Sequence, residues 1–248
     1  MVTLKNNQLY NHINNIIIEW VKYLEDVRGY GFNTLNAYKR DILDFLHFCK
    51  NKDHDFLSPN KYILRGYLYE LSERQLSRPT IARRISSLKN FFKFLLKDEV
   101  ILSLDTSIFK SPKLKRNFPK SIDSDLVAKA LSSLMDSKND QWINLRDRAV
   151  MLLLYGAGLR ISEALSIKKK DAPDGDWLRV VGKGNKYRDV PLLPIICDGV
   201  REYLDLCPYD VNEDAPLFLG KRGGSLSPRI IQRRIESLRY ELGLPSHT

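Results

Sequence analysis

The residues whose types and spacing point most directly to chemistry lie in the stretch 145–165, LRDRAVMLLLYGAGLRISEAL. Two glycines, Gly156 and Gly158, interrupt an apolar helix and place Arg160 immediately before a new helical segment. The unpaired N–H groups and the dipole of a helix start favour an anion. A guanidinium at that point therefore makes a strong phosphate site.

Glu163 follows Arg160 at a distance of three residues, which brings the two side chains together on one helix face. A carboxylate at this spacing can hold the guanidinium in one orientation without cancelling its charge. The alternative is an ordinary ion pair on a helix surface, worth about a few tenths of a kcal/mol. The residues alone leave both interpretations open.

A second segment with candidate site residues runs from Trp177 to Val190. Apolar and polar residues alternate over 177–181, the turn sequence GKGN follows, and alternation resumes over 186–190. Because Gly and Asn supply the positive φ angles of tight turns, this pattern predicts a β-hairpin. Lys183 lies near its tip, where a lysine is most often merely exposed, while Lys186 and Arg188 are either phosphate contacts or strand-surface charges.

The net charge of the chain indicates which kind of partner these candidate residues would contact. The chain has 40 Lys and Arg against 30 Asp and Glu, a formal net charge of +10, which divides equally between residues 1–110 and 111–248. Such an excess favours a polyanion, either nucleic acid or, as the rival, an anionic membrane surface. Its even distribution indicates that both halves face one long polyanion, although a charge that serves only solubility has the same signature.

Amphipathic helices are predicted to position the basic residues of the first half. One helix is expected to begin at an Asn33 cap, and another opens at Ser77 with Pro79 in its first turn. The predicted DNA-binding residues of these helices are Lys39, Arg40, Arg78, Arg83 and Arg84.

The final helix, capped by Ser227 with Pro228 at its first position, has two faces. Residues 231, 235, 238 and 242 form an apolar stripe, while Arg229, Arg233 and Tyr240 fall on the opposite side. Arg229 and Arg233 are predicted to contact phosphates or a groove edge. A basic helix face that is merely solvated gives the same pattern.

Residues 110–122 contain five basic residues, two prolines and no acid, which is typical of an extended linker. We therefore predict a helical domain over 1–110, a basic linker over 111–120 and a second domain over 121–248. Within the linker Lys115 and Arg116 are predicted DNA contacts, although many such linkers touch nothing.

Other features exclude several classes of protein. With 43% hydrophobic residues the chain can bury a core in each domain. The cysteines, Cys49, Cys197 and Cys207, have neither the number nor the spacing of a disulfide framework or zinc site, so no metal is expected. The apolar run 16–18 is too short for a membrane span and no export signal is visible, which favours the cytoplasm.

Several motifs together resemble one family. YGAGLRISEAL followed by VVGKGNKYRDVPL is similar to the tyrosine recombinases, specifically the bacterial Xer type. GFNTLNAYKRDILDFLHFCK and LSRPTIARRISSLKNFFKFLLKDE resemble that family's N-terminal domain, and SPKLKRNFPK resembles its linker. DLVAKAL, LRDRA and PLFLGKRGGSLSPRIIQRRI match its catalytic domain in order, so the likeness covers nearly the whole chain.

The resemblance implies a mainly α-helical fold with small β-hairpins. The N-terminal part would be a helical, SAM-like core-binding domain and the C-terminal part an α+β tyrosine-recombinase catalytic domain. It also implies site-specific cutting and rejoining of DNA through a 3'-phosphotyrosyl intermediate, in the family's role of chromosome dimer resolution, without metal or nucleotide cofactor. The implied partners are a double-stranded recombination site and a second recombinase, self or sister, in a tetramer.

The motif positions carry family roles to individual residues. Arg160 matches the first catalytic arginine, Glu163 its supporting carboxylate, and Lys183 the hairpin lysine that donates a proton to the 5'-oxygen leaving group. These charges would stabilise a crowded phosphoryl group with side chains alone.

The sequence departs from the family at its end. The family continues with an HxLRH segment and then the tyrosine nucleophile, whereas this sequence stops at GLPSHT, and none of its 12 tyrosines matches the nucleophile's motif. We interpret His247 as part of a connecting loop, and expect an incomplete catalytic domain that binds DNA without cleaving it. The alternatives are a non-catalytic DNA-binding protein or modulator of a full-length recombinase, and a remnant whose apolar faces near 152–155 or 231–242 stay exposed.

Overall fold

The structure, a computed structural model, describes residues 2–113, 123–135, 140–182, 184 and 186–243, without the side chains of residues 2–10 and 106. The chain divides into two compact units, residues 1–117 and 118–248. Most of the predicted linker 111–120, including Lys115 and Arg116, lies outside the described residues. The predicted domain bounds therefore stay predictions.

The regular secondary structure in the described part of the first unit is all helical. Its elements are α1 (Val2–Asp26), α2 (Phe32–Asn51), α3 (Lys61–Glu73), α4 (Arg78–Lys97) and a short 3-10 turn (Thr106–Ile108). Its core is rich in aromatic rings, and the buried Trp20 donates a hydrogen bond from Nε1 to Oδ1 of Asn90 at 2.9 Å, which joins α1 to α4. Trp20 and Phe91 meet edge to face, a favourable arrangement for aromatic pairs.

The start of α2 differs from the prediction, whereas the start of α4 agrees with it. The predicted Asn33 cap is wrong because the extended Gly31 precedes the helix and its carbonyl accepts the N–H groups of Thr34 and Leu35. The first turn thus closes two residues earlier. Ser77 caps α4, and its Oγ accepts the Thr80 N–H at 3.4 Å.

The second unit combines helices with one hairpin. Its elements are α5 (Ser124–Met135), α6 (Gln141–Gly156), α7 (Ile161–Leu165), a 3-10 turn (Lys169–Asp171), β1 (Trp177–Val181), β2 (Tyr187–Pro191), α8 (Pro194–Leu206) and α9 (Pro228–Glu241). β1 and β2 pair antiparallel, with Val180 opposite Arg188 and Arg179 opposite Asp189. The predicted mainly α-helical class with a β-hairpin is confirmed.

The segment 217–219 is a short apolar run, Leu-Phe-Leu, which by its composition predicts a strand, but in the structure it is a buried connection. The N–H of Leu217 donates to the Ile167 carbonyl, and that of Leu219 donates to the Tyr203 hydroxyl. Because its hydrogen bonds go to separate segments, the stretch forms isolated bridges and no strand ladder.

The predicted faces of α9 are confirmed. Ile231 and Leu238 are buried, while Arg229, Arg233 and Tyr240 are exposed. The apolar faces that a folding-incompetent remnant would leave open are largely covered: most of the stripe at 152–154 packs into the core, although Tyr155 is exposed. In the described part of the chain, no helix has the length and apolar character to cross a membrane.

Candidate functional site

The backbone at the end of α6 places Arg160. α6 ends at Gly156, and Gly158 adopts a left-handed conformation with φ of +62°, which glycine reaches without the strain a side chain would bring. Arg160 then takes an extended conformation as the N-cap of α7. Its side chain is 68% exposed, so the guanidinium is open to an approaching anion.

Glu163 holds Arg160 by two contacts. Its Oε2 accepts the backbone N–H of Arg160 at 2.8 Å, and its Oε1 accepts Nη1 of the same residue at 2.8 Å. The glutamate side chain is only 4% exposed. A buried carboxylate thus fixes one end of an exposed guanidinium. In this geometry Glu163 orients Arg160.

Arg188 on β2 meets the same carboxylate. Its Nη1 and Nη2 donate to Oε1 and Oε2 of Glu163, each at 2.8 Å, which is the bidentate fork that strengthens arginine–carboxylate pairs. Arg188 was predicted to be either a phosphate contact or a strand-surface charge, and in the structure it binds Glu163. A signal was present, because strict alternation puts Arg188 on the same strand face as the buried Val190.

The contacts to Glu163 lower its pKa to about 2 from an ordinary 4.5. The hydrogen bonds from Arg188 contribute most, and those from Arg160 add to them, against the opposing effect of desolvation. The carboxylate is therefore charged throughout the physiological pH range.

This shift predicts a pH-dependent contribution to stability. Because the pKa of Glu163 is lower in the folded chain than in the unfolded one, its stabilising effect is complete above pH 4.5 and is lost as the pH falls through about 2. We expect Glu163→Gln to be less stable than the parent at pH 7, with the difference shrinking between pH 4.5 and pH 2. Urea unfolding at a series of pH values measures it, and a pH-independent difference would contradict the assignment.

Lys183 lies outside the described residues, and its predicted role stays a prediction. The hairpin base beside it is described: the Gly182 N–H donates to the Lys186 carbonyl at 2.8 Å, and Gly184 has φ of +74°. A Cβ placed on Gly182 would lie 3.7 Å from Oε1 of Glu163. The backbone that precedes Lys183 therefore lies beside the carboxylate of the site.

The five predicted DNA-binding residues of the first unit fall into two groups. Lys39, Arg40 and Arg78 are exposed. Arg83 and Arg84 instead form ion pairs with two acids of α2 that were not among the predicted site residues.

Asp41 and Asp44 are those acids, and they join three helices. Asp41, 2% exposed, accepts from Arg83 and from the Ser87 hydroxyl. Asp44 accepts from the Tyr67 hydroxyl at 2.8 Å on α3 and from Arg84 on α4. Burial works to raise the pKa of Asp44, but the hydrogen bonds outweigh it and the pKa is lowered. The network therefore ties α2, α3 and α4 together.

The remaining candidates are spread along the second unit. Lys186, Arg229 and Arg233 are exposed on the hairpin and on α9. His247 lies outside the described residues. Of the predicted site residues, the structure brings Arg160, Glu163 and Arg188 into one cluster, which we call the arginine–glutamate cluster.

A buried ion pair lies in α6, apart from that cluster. Arg146 donates from Nε at 2.9 Å and from Nη2 at 2.6 Å to Oδ1 of Asp147, and from Nη1 at 2.9 Å to the Leu219 carbonyl. Both side chains are almost inaccessible to solvent. Burial raises the pKa of Asp147 in spite of the adjacent arginine. The signal in the sequence was a run of three charged residues, 146–148, directly before the apolar second half of the helix.

Comparison with known proteins shows the same division of the chain. The model of the phage integrase N-terminal SAM-like domain matches residues 17–99, and that of the phage integrase family matches residues 125–248. Tyrosine recombinase XerC of Rickettsia canadensis (strain McKiel) is 34% identical over 241 residues, which cover 95% of this chain and 79% of the relative. XerC of Rickettsia bellii (strain OSU 85-389) is 34% identical over 245 residues, covering 96% and 80%.

Solved structures share the fold. The crystal structure of XerH site-specific recombinase bound to its difH substrate, a pre-cleavage complex, gives a TM-score of 0.65 at 22% identity and covers 94% of this chain and 70% of that one. A lambda integrase tetramer bound to a Holliday junction gives a TM-score of 0.66 at 17% identity and covers 95% and 65%.

The chain belongs to the phage integrase family, the tyrosine recombinases. Within that family it is of the Xer type and XerC-like, a group of site-specific recombinases that act in DNA recombination. The prediction from the motifs, including the SAM-like N-terminal domain, is confirmed.

Proposed function

We propose that residues 1–248 bind a duplex recombination site and present Arg160 to the phosphate at which strands are exchanged. The observation that carries this proposal is the arrangement at the start of α7, where the buried Glu163 holds Arg160 by its backbone and its guanidinium while most of the arginine stays exposed. A donor fixed before the substrate arrives costs no reorganisation when charge develops on the phosphoryl oxygens.

The reaction proposed is that of the family. Arg160 stabilises charge on the nonbridging oxygens, and Lys183 gives a proton to the 5'-oxygen as a tyrosine attacks the phosphorus, without metal or nucleotide cofactor. None of the 12 tyrosines of residues 1–248 matches the motif of that nucleophile. We therefore propose that a polypeptide of residues 1–248 binds the recombination site without forming a covalent adduct.

The DNA surface proposed for the chain consists of basic side chains in both units. Its proposed members are Lys39, Arg40, Arg78, Lys115, Arg116, Lys186, Arg229 and Arg233. By analogy with the XerH complex on difH and the lambda integrase tetramer on a Holliday junction, the proposed assembly is a tetramer with further recombinase subunits on paired sites. Phosphate contacts of this kind position the protein, while base contacts select the sequence.

A binding experiment tests the proposal. A duplex is first selected by this chain from a random 30-bp library, and its affinity is measured by fluorescence anisotropy over a range of salt concentrations. We expect a steep loss of affinity with salt because neutralised phosphates release their counterions. Arg160→Ala should weaken binding by about tenfold to a hundredfold, the value of a charge-assisted hydrogen bond.

The matched control is Arg201→Ala, which removes an equal charge from an exposed ion pair with Asp198 on α8. It should bind as the parent does. Denaturing gels of the same mixtures should show no covalent adduct. Salt-independent binding, or equal affinity for the Arg160→Ala variant and the parent, would contradict the proposal, and a denaturation-resistant adduct would contradict its non-covalent part.

A further inference from the structure

We infer that Arg188 is a positioning residue that neutralises Glu163, so that Glu163 orients Arg160 without taking up the charge that Arg160 offers to a phosphate. This inference rests on the proposed function of Arg160. It assigns Arg188 a place behind the phosphate-binding group and not in direct contact with DNA.

The first support is how the oxygens of Glu163 are shared. Each carboxylate oxygen accepts one hydrogen bond from Arg188 and one from Arg160, all at 2.8 Å. Arg188 binds through both terminal nitrogens, whereas Arg160 uses one nitrogen of its guanidinium and its backbone N–H. The remaining donors of the Arg160 guanidinium are therefore available for an incoming anion.

The second support is the charge balance of the arginine–glutamate cluster, which holds two cations and one anion. A buried carboxylate with one cationic partner would draw that partner to itself, because an uncompensated buried charge is costly. With Arg188 in place the cluster carries one net positive charge, and the more exposed cation is Arg160. Without Arg188 the Arg160–Glu163 pair is neutral overall, and an approaching phosphate must compete with the carboxylate.

The third support is the position of Arg188 on the hairpin. It lies on the strand face that carries the buried Val180 and Val190, and its side chain, 40% exposed, reaches the buried Glu163. Arg179, on the other face, pairs across the strands with Asp189 at 2.8 and 2.9 Å and is exposed. The same hairpin thus carries one arginine bound to Glu163 and one bound to a surface acid, which supplies a matched control.

A simpler role is that Arg188 only anchors the hairpin to α7. The two roles make different predictions for a double variant. If Arg188 acts by neutralising Glu163, removing the carboxylate charge as well should restore the availability of Arg160. If Arg188 acts only as an anchor, the loss of Glu163 removes the remaining attachment point and restores nothing.

The experiment uses the full chain and the selected duplex, in which one phosphate at a time is replaced by a neutral methylphosphonate. The penalty for each replacement is measured by anisotropy for the parent and for Arg160→Ala, which identifies the phosphate whose penalty depends on Arg160. The same duplexes are then measured with Arg188→Gln, Arg188→Lys, Glu163→Gln/Arg188→Gln and Arg179→Gln. Circular dichroism and melting of each variant establish that it is folded.

We expect an Arg160-dependent penalty of about tenfold to a hundredfold in the parent and in Arg179→Gln. In Arg188→Gln this penalty should fall below threefold. In Arg188→Lys the penalty should be intermediate, because lysine cannot form the bidentate contact. In the double variant the logarithm of the penalty should recover to at least half of its value in the parent. These results would establish the neutralising role.

Other outcomes overturn the inference in distinguishable ways. A full penalty in folded Arg188→Gln, or a double variant as impaired as Arg188→Gln, would overturn the inference alone and leave the role of Arg160 standing. If no phosphate shows a penalty that depends on Arg160 in the parent, the proposed function of Arg160 fails and the inference fails with it.

Discussion

Replacing Asp147 by asparagine is expected to lower the free energy of unfolding of the second unit by about 3 to 5 kcal/mol, the cost of leaving a buried ion without its partner. The change keeps the shape of the side chain but removes the charge that offsets the Arg146 guanidinium. That guanidinium cannot reach solvent, since it is held against Trp142 and bonded to the Leu219 carbonyl. The loss therefore appears in full as reduced stability.

Hydrogen–deuterium exchange of the α6 amides in increasing urea measures this effect without interference from the first unit. Glu202→Gln is the matched control: it breaks a solvent-accessible pair with Arg148, one residue along the same helix, and should change stability by less than about 1 kcal/mol. The double variant Arg146→Met/Asp147→Leu should recover most of the loss, because apolar residues of similar volume replace buried ion pairs at little cost. A loss below that of the Glu202 variant would refute the role of the pair.

Replacing Arg84 by methionine is expected to destabilise the first unit by about 3 kcal/mol, because two acids of α2 would then be left undercompensated. Arg84 is 16% exposed and contacts Asp44, the Tyr67 hydroxyl and, at 3.8 Å, Asp41. Its position on an amphipathic helix made Arg84 a predicted DNA contact, but the contacts it forms in the structure lie within the protein. The expected result is a large loss of stability with little change in DNA affinity for the fraction that remains folded.

Arg78→Met gives the opposite expectation. Arg78 is exposed at the first turn of α4, so its replacement should leave stability within about 0.5 kcal/mol of the parent. It should weaken DNA binding and reduce the salt dependence by about one phosphate contact. Hydrogen–deuterium exchange of the α4 amides in increasing urea, together with anisotropy, separates the two variants. Equal behaviour of the two in both measurements would mean that the ion pairs of Arg84 are not structural.

Local signals in the sequence predicted those elements whose ends and periods are encoded nearby. Ser77 with Pro79 marked α4, Ser227 with Pro228 marked α9, and the glycines at 156 and 158 marked the end of α6. The prediction of a strand at 217–219 is wrong because an apolar triplet does not show which groups its backbone hydrogen bonds will reach.

The site was predicted where its parts are close in sequence and missed where they are distant. Arg160 and Glu163 share one helical turn, so their pairing follows from spacing. Arg188 reaches Glu163 from 25 residues away, and that contact depends on the register of the hairpin and its packing on α7. The family resemblance identified Arg160 and Glu163 but gave no reason to connect Arg188 with them.

The two elements that meet at Glu163 are both short. α7 has five residues and the described sheet has two strands, and neither a single helical turn nor an isolated hairpin is stable alone in water. Two hydrogen bonds from Arg188 to the Glu163 carboxylate join them, and two more from Arg160 to the same carboxylate hold the helix start. We therefore expect the helix start and the hairpin to unfold locally as one cooperative unit, so that the positions of Arg160 and of the strand that carries Arg188 are lost or regained together.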